Sequence, residues 1–208
     1  LKKDKTDVFL RYNTNLSNFK YKNKDILDLW KRFKSVEICA SVDHYGKKAE
    51  YLRTGTIWED IESNIFKIKD ISHIKFGFNA VVSVFNYPSF GDFLIYMIDK
   101  SIYNKYTAPY TSFNISYDPE YFDPIILPKS LKQTGKDKLI NAIEYGKLKG
   151  IDQSKNLLSI INYIDSDDKW IDYKRQFWIK ANTFDIIRKE KLIEVFPELK
   201  EMINYENN

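Results

Sequence analysis

The stretch VEICASVDHYGKKAEYLRTGTIW, residues 36–58, decides how the chain is read. Val36, Ile38, Ala40 and Val42 recur at every second position, the period of a strand with one face covered. The pattern then turns polar at Ser41, Asp43 and His44, passes Gly46 and reaches Arg53 one loop later. Thr56, with Glu59 three residues on, has the spacing of a capping box that opens a helix. A strand thus delivers a hydroxyl, a carboxylate and an imidazole to its C-terminal end, with an arginine close behind. In parallel α/β folds that end of a strand is where ligands are held.

The same unit repeats on either side. Upstream, Val8, Leu10 and Tyr12 alternate in what reads as a core strand ending in Asn13-Thr14-Asn15. Ile26, Leu27, Trp30 and Phe33 then recur at helical spacing over residues 25–33. Downstream, Ile57, Trp58, Ile61, Ile65, Ile68 and Ile71 predict an amphipathic helix. Residues 74–85, IKFGFNAVVSVF, are nearly all apolar in their second half, as in a strand covered on both faces. That strand ends at Asn86, and Ser89 is placed to cap a helix through Phe90, Phe93, Leu94, Met97 and Ile98. Phe113 and Ile115 mark another strand before Asp118. Ile125-Ile126-Leu127 is a short apolar segment closed by Pro128.

Strands about every 30 to 40 residues, with helices between, are the βα unit of a parallel sheet. Four such units with right-handed crossovers make part of a (β/α) barrel and are too few to close one. From residue 129 onward the patterns are helical. The expected organisation is an α/β chain: a partial (β/α) barrel of parallel strands over residues 1–128, then a helical C-terminal extension over residues 129–208. One helix of the extension carries Trp170, Tyr173, Phe177, Trp178 and Phe184, read as packing residues. Residues 205–208 are expected to fray.

The composition, 43% hydrophobic and 16% aromatic, is that of a globular chain. Its 33 basic and 29 acidic residues leave a mild, dispersed net charge of +4, which points to a solvated surface and not to a nucleic-acid partner. Cys39 is the single cysteine, so these residues hold no disulfide framework and no multi-cysteine zinc or iron–sulfur site. Its mid-strand position predicts a buried structural thiol. No apolar run approaches the ~20 residues of a membrane span, and no signal peptide is present, so a cytoplasmic location without a membrane partner is expected. A strand begins almost at Leu1, which suggests that residues of a longer protein precede it.

His44 and His73 belong to no metal-binding motif, and no P-loop, GxGxxG or GxSxG occurs. What remains is a row of polar strand ends: Asn13-Thr14-Asn15, Ser41 with Asp43, Asn86, and Asp118. Each alone has a plain alternative as a loop cap. Arg53 is a planar fork suited to a carboxylate or phosphate. Its plain alternative is a surface pair with Glu50 or Glu59.

These residues also carry a family resemblance. SVDHYGKKAEYLRTGTIWEDIESNI, residues 41–65, resembles the fourth-strand region of radical S-adenosylmethionine (radical SAM) enzymes, most like the twitch or SPASM subgroup. YNTNLS (12–17) is similar to their third strand end and FNAVVSVFN (78–86) to the fifth strand. NISYDPEYFDPIILPKSLK (114–132) resembles the sixth strand and the turn beyond, and FPEL (196–199) is also similar. The likeness runs from about residue 8 to residue 199. It implies the C-terminal half of a radical SAM core, an enzyme in the full-length protein and inactive as this chain alone. In the complete enzyme a [4Fe–4S] cluster and S-adenosylmethionine would generate a 5′-deoxyadenosyl radical for hydrogen abstraction.

Carried over by position, the resemblance implies that Ser41 contacts the ribose or methionyl part of the cofactor and that Arg53 pairs with the methionyl carboxylate. It implies that Asp43 lines the site or orders its loop, that Asn15 lies near the cofactor, that Ile126 flanks the adenine, and that Asn86 is on the substrate side. The chain departs from the pattern at His44, where glycine is usual. The CxxxCxxC loop for the cluster and the Gly-Gly-Glu-Pro segment are absent and would lie before Leu1. Auxiliary-cluster cysteines are absent too, so the extension is expected to be a helical cap. The substrate, a peptide or a small metabolite, and any catalytic acid or base are not indicated. The alternative is a degenerate, cluster-free radical-SAM-like binding module. A phosphate-binding barrel enzyme fits less well, because no glycine-rich phosphate loop is present.

Overall fold

The structure, a computed structural model, describes residues 6–203. The expected fraying of residues 205–208 lies outside the described residues. In chain order the elements are β1 (Thr6–Thr14), the small hairpin β2 (Lys20–Tyr21) and β3 (Lys24–Asp25), α1 (Ile26–Trp30), β4 (Phe33–Ser41), α2 (Gly46–Leu52), α3 (Trp58–Ile68), β5 (Ile74–Val82), α4 (Phe90–Asp99) and β6 (Ser112–Ile115). Helices follow: α5 (Lys129–Leu148), α6 (Ser154–Ile164), α7 (Trp170–Arg188), α8 (Leu192–Val195) and α9 (Lys200–Ile203).

Strands β1, β4, β5 and β6 form one sheet in that order. The pairs β1–β4 and β4–β5 are parallel. Phe78 N–H donates to Thr111 Oγ1, and four residues further along β5 the Val82 carbonyl accepts from Ser116 N–H, so β6 runs the same way. The chain is therefore α/β with a four-stranded parallel sheet and helices, consistent with a partial β/α barrel. The described residues group into two compact units, 6–80 with 99–112, and 81–98 with 113–203.

In the first unit the two faces of the sheet differ. Val36, Ile38 and Ala40 of β4 and Phe76, Phe78 and Ala80 of β5 are buried. Phe78 meets Tyr103 edge-on, and Trp30 is wedged between Tyr12 and Phe19. Burial pushes the Tyr12 hydroxyl up to about 12, against the pull of a hydrogen bond with Trp30. The alternate residues of each strand face a more open side, described with the site below.

The second unit is built on aromatic packing. Phe85 lies against Phe122 and Phe177, and Phe122 against Phe184, which gives the aromatic side of α7 its packing role. Three lysines of α5 clasp the loop between α6 and α7. Lys129 pairs with Asp168, Lys132 donates to the Asp167 carbonyl, and Lys136 pairs with Asp165. Burial lowers the affinity of the Lys132 amine for its proton, while the surrounding carboxylates pull the other way.

Several local expectations are corrected. The strand holding Val8 is an edge of the sheet among the described residues and not core: Val8 is 55% and Phe9 50% exposed. The helix expected over residues 25–33 is a single turn. Asp25 caps it by accepting from Leu27 N–H at 2.8 Å, and Phe33 already belongs to β4. Ser89, expected just before the helix, is buried as the last residue of a 3₁₀ turn, Tyr87–Ser89, that runs directly into α4. The short apolar segment that holds Ile126 is another 3₁₀ turn, Pro124–Ile126, which Asp123 starts by accepting from Ile125 N–H.

Candidate functional site

The chemistry gathers where β4 ends. Ser41 closes the strand, and Val42, Asp43 and His44 are all buried. Gly46, at φ +57°, opens α2 in a backbone conformation that side chains rarely adopt, and so permits the sharp turn from strand to helix. Seven residues of helix then bring Arg53, the C-terminal cap of α2, back to the strand end. Arg53 Nε lies 2.8 Å from Asp43 Oδ2. The N–H itself is poorly aligned, since Nε has no hydrogen-bond acceptor of good geometry among the described residues. The contact is therefore an ion pair more than a directed hydrogen bond. It is partly screened, because the arginine side chain keeps 30% of its exposure. Neither Glu50 nor Glu59 is its partner.

Glu50 has a different task. Its Oε1 accepts from Trp58 N–H at 3.0 Å and its Oε2 accepts from Lys47 Nζ at 2.6 Å. The first contact caps α3 from outside that helix. The capping box expected from Thr56 and Glu59 does not form: Ile57 is the cap residue, and the Thr56 hydroxyl donates to the Arg53 carbonyl at 2.7 Å. The lysine contact first, and the Trp58 N–H second, hold the Glu50 carboxyl below its ordinary range. His44 accepts the Tyr45 N–H on Nδ1 at 2.9 Å, which leaves the ring proton of the neutral imidazole on Nε2.

The open face of the sheet extends this site in rows. Register sets Arg11 beside Glu37 and Glu37 beside Lys75, then Asn13 beside Cys39 and Gly77, then Ser41 beside Asn79. Arg11 Nε and Glu37 Oε1 pair at 2.9 Å. Lys75 Nζ lies over the rings of Phe9 and Tyr110. Ser112 Oγ donates to Asn79 Oδ1 at 3.0 Å, which continues the last row onto β6. Gly77 is needed where it stands: a Cβ there would come within 2.1 Å of the Tyr110 carbonyl oxygen. Cys39 is half-buried on this face with Sγ 3.9 Å from the same oxygen, and burial pushes its thiol up. Asn79 and Ser112 carry no motif. Their signal is the polar residue at the odd position of a strand, meaningful only once the register is known.

The other expected residues fall as follows. Asn15, exposed just after β1, uses Oδ1 to accept from Ser17 N–H and Ser17 Oγ, a local turn. The same loop borders a cleft of about 480 Å³ lined by Ser17, Lys20, Asp25, Asp60, Asn64 and Lys67 among others. Asn64 ties that loop down by donating to the Leu16 carbonyl at 2.8 Å. Asn86 and Ile126 belong to the second unit, and both are fully buried. Asn86 Oδ1 accepts from Ser83 N–H at 2.7 Å and its Nδ2 donates to the Val81 carbonyl at 2.9 Å, so it ties up the turn after β5. Ser41, Asp43 and Arg53 are thus brought to one strand end of the first unit, together with Asn79 and Ser112.

Among the described residues, no group of three or more His, Cys, Asp or Glu side chains is placed to hold a metal ion, and no helix is long and apolar enough to cross a membrane. Compared with protein-family profiles, with curated proteins and with solved structures, the chain finds no match in any of the three.

Proposed function

We propose that this chain is the S-adenosylmethionine-binding half of a radical SAM enzyme, contributing cofactor contacts and substrate wall. The observation that carries the reading is the end of β4, where a half-buried hydroxyl, Ser41, and a half-buried guanidinium, Arg53, follow a parallel strand. Asp43 holds Arg53 from its Nε side, which leaves the two terminal nitrogens of the fork to meet a carboxylate. Ser41 supplies a hydroxyl that makes no side-chain hydrogen bond among the described residues. The donor set suits an amino-acid carboxylate and a ribose. When bound, S-adenosylmethionine supplies hydrogen-abstracting chemistry; the residues here bind it, orient it and shield it from water.

The [4Fe–4S] cluster does not fit these residues. Cys39 is the single thiol and faces the Tyr110 carbonyl from mid-strand. The reading therefore requires cluster ligands from outside these 208 residues. The same single cysteine favours the second reading, a cluster-free binding module of this shape. Two measurements separate them: iron content after anaerobic reconstitution of the full-length gene product, and its formation of 5′-deoxyadenosine. Iron and product support the enzyme. S-Adenosylmethionine binding without iron or turnover supports the module.

A further inference from the structure

The two faces of β4 differ although the strand has a neighbour on each side. Val36, Ile38 and Ala40 are fully buried, whereas Ser35, Glu37, Cys39 and Ser41 on the alternate face are only half-buried. This open face ends at Ser41 and so leads directly to the strand end proposed to hold the cofactor. The row Arg11–Glu37–Lys75 crosses it with two cations and one carboxylate. Arg11 takes the carboxylate, with Nε 2.9 Å from Glu37 Oε1. On β1, Asp7 faces Lys34 at 4.0 Å. Lys75, beside Glu37 in register, has no ion-pair partner among the described residues.

Lys75 instead reaches across β4. Its Nζ lies 5.4 Å from the centre of the Phe9 ring on β1 and 5.7 Å from that of Tyr110. Aromatic faces attract an ammonium but leave its charge in place. Arg11 is engaged through Nε, and its terminal nitrogens belong to a side chain that is 70% exposed. The row therefore presents net positive charge on a polar surface, with the lysine held by two rings. Four residues further along β5, about 13 Å at the rise of a parallel strand, Asn79 stands beside Ser41 and accepts from Ser112.

We propose that this face holds the substrate, an extended small molecule whose carboxylate or phosphate meets Lys75 and Arg11 while its reacting end lies in the Ser41–Asn79–Ser112 row. Because the cofactor places the reacting end, this role rests on the reading of the β4 end as an S-adenosylmethionine site. The face sets two requirements, charge and length: an anionic group about 13 Å from the part of the substrate that meets the cofactor. A neutral substrate leaves the Lys75 charge unanswered.

Amide NMR of the isotope-labelled chain, titrated with inorganic phosphate and separately with hexanoate, tests it. The expected result is saturable shifts confined to the surroundings of Arg11, Lys75 and Tyr110, and the probe that causes them tells phosphate from carboxylate. Lys75→Gln weakens that binding about tenfold and leaves the thermal midpoint unchanged, because the side chain is exposed. Cleavage of S-adenosylmethionine without substrate by the reconstituted full-length gene product reads the cofactor site separately, and Lys75→Gln leaves it unchanged. Shifts that never saturate, or that spread over the surface lysines, overturn the proposal, as does binding indifferent to Lys75→Gln. Anion binding in a protein that never forms 5′-deoxyadenosine overturns the substrate role and leaves an anion site alone.

Discussion

Asp43 Oδ2 and Arg53 Nε stand 2.8 Å apart, so the carboxylate after β4 and the guanidinium that ends α2 form one charged unit. The pair fixes the arginine's long side chain against the strand end. Asp43→Ala leaves a half-buried guanidinium without its partner. Between the small worth of exposed pairs and the larger cost of breaking buried ones, the loss is about 1–2 kcal/mol. Urea unfolding measures it as a lower midpoint with an unchanged slope.

Glu50 caps α3 from eight residues away, and the cap has a pH signature. Its folded carboxyl is held below the ordinary range by Lys47 and the Trp58 N–H. A depressed carboxyl stabilises the fold above its unfolded pKa, and the contribution is lost as pH falls through the folded value. Glu50→Ala costs about 1 kcal/mol at neutral pH, as lost helix caps do. The difference between wild type and variant shrinks on acidification below the ordinary carboxylate range. Thermal unfolding at neutral and at acid pH checks both the size and the sign.

Gly77 is confined by backbone, not by a flexible side chain. A methyl group there meets the Tyr110 carbonyl oxygen at 2.1 Å. Gly77→Ala therefore forces β5 and the segment before β6 apart and costs about 3 kcal/mol, at the upper end of overpacking effects. Gly55→Ala, where a Cβ meets nothing within 4 Å, is the control. It pays only for its positive φ, about 1 kcal/mol.

Asn86 separates a structural from a substrate-facing role. Its amide is fully buried and bonds to Ser83 and Val81 in its own turn. Asn86→Ala leaves buried backbone groups unpaired and destabilises by about 2 kcal/mol. A variant of unchanged stability with altered substrate use would assign Asn86 to the substrate instead.

What the sequence makes legible is what depends on neighbours in the chain. The alternation of Val36, Ile38 and Ala40 gives the buried face of β4, and Ile61, Ile65 and Ile68 give that of α3. The helical patterns expected from residue 129 onward include α6, whose Leu157, Ile160, Ile161 and Ile164 are buried. What is hidden depends on partners far along the chain. Glu50 outcompetes Thr56 and Glu59 for the α3 N-terminus because α2 folds back onto it. Ser112 reaches Asn79 across 33 residues, so the polar row of the open face exists only once the strands are in register. Val8, Leu10 and Tyr12 alternate like core residues, yet β1 has a single neighbour, β4, among the described strands, and the exposure of Val8 follows from that position.

The central claim is that the Ser41–Arg53 strand end holds S-adenosylmethionine for reductive cleavage. The most direct test is 5′-deoxyadenosine formation by the full-length gene product, reconstituted anaerobically with iron and sulfide and given S-adenosylmethionine and a reductant. The account predicts that 5′-deoxyadenosine accumulates and that Arg53→Ala lowers its formation about tenfold or more, the loss of one charge-assisted contact. A protein that binds no iron and forms no 5′-deoxyadenosine, or one whose turnover ignores Arg53, would contradict it.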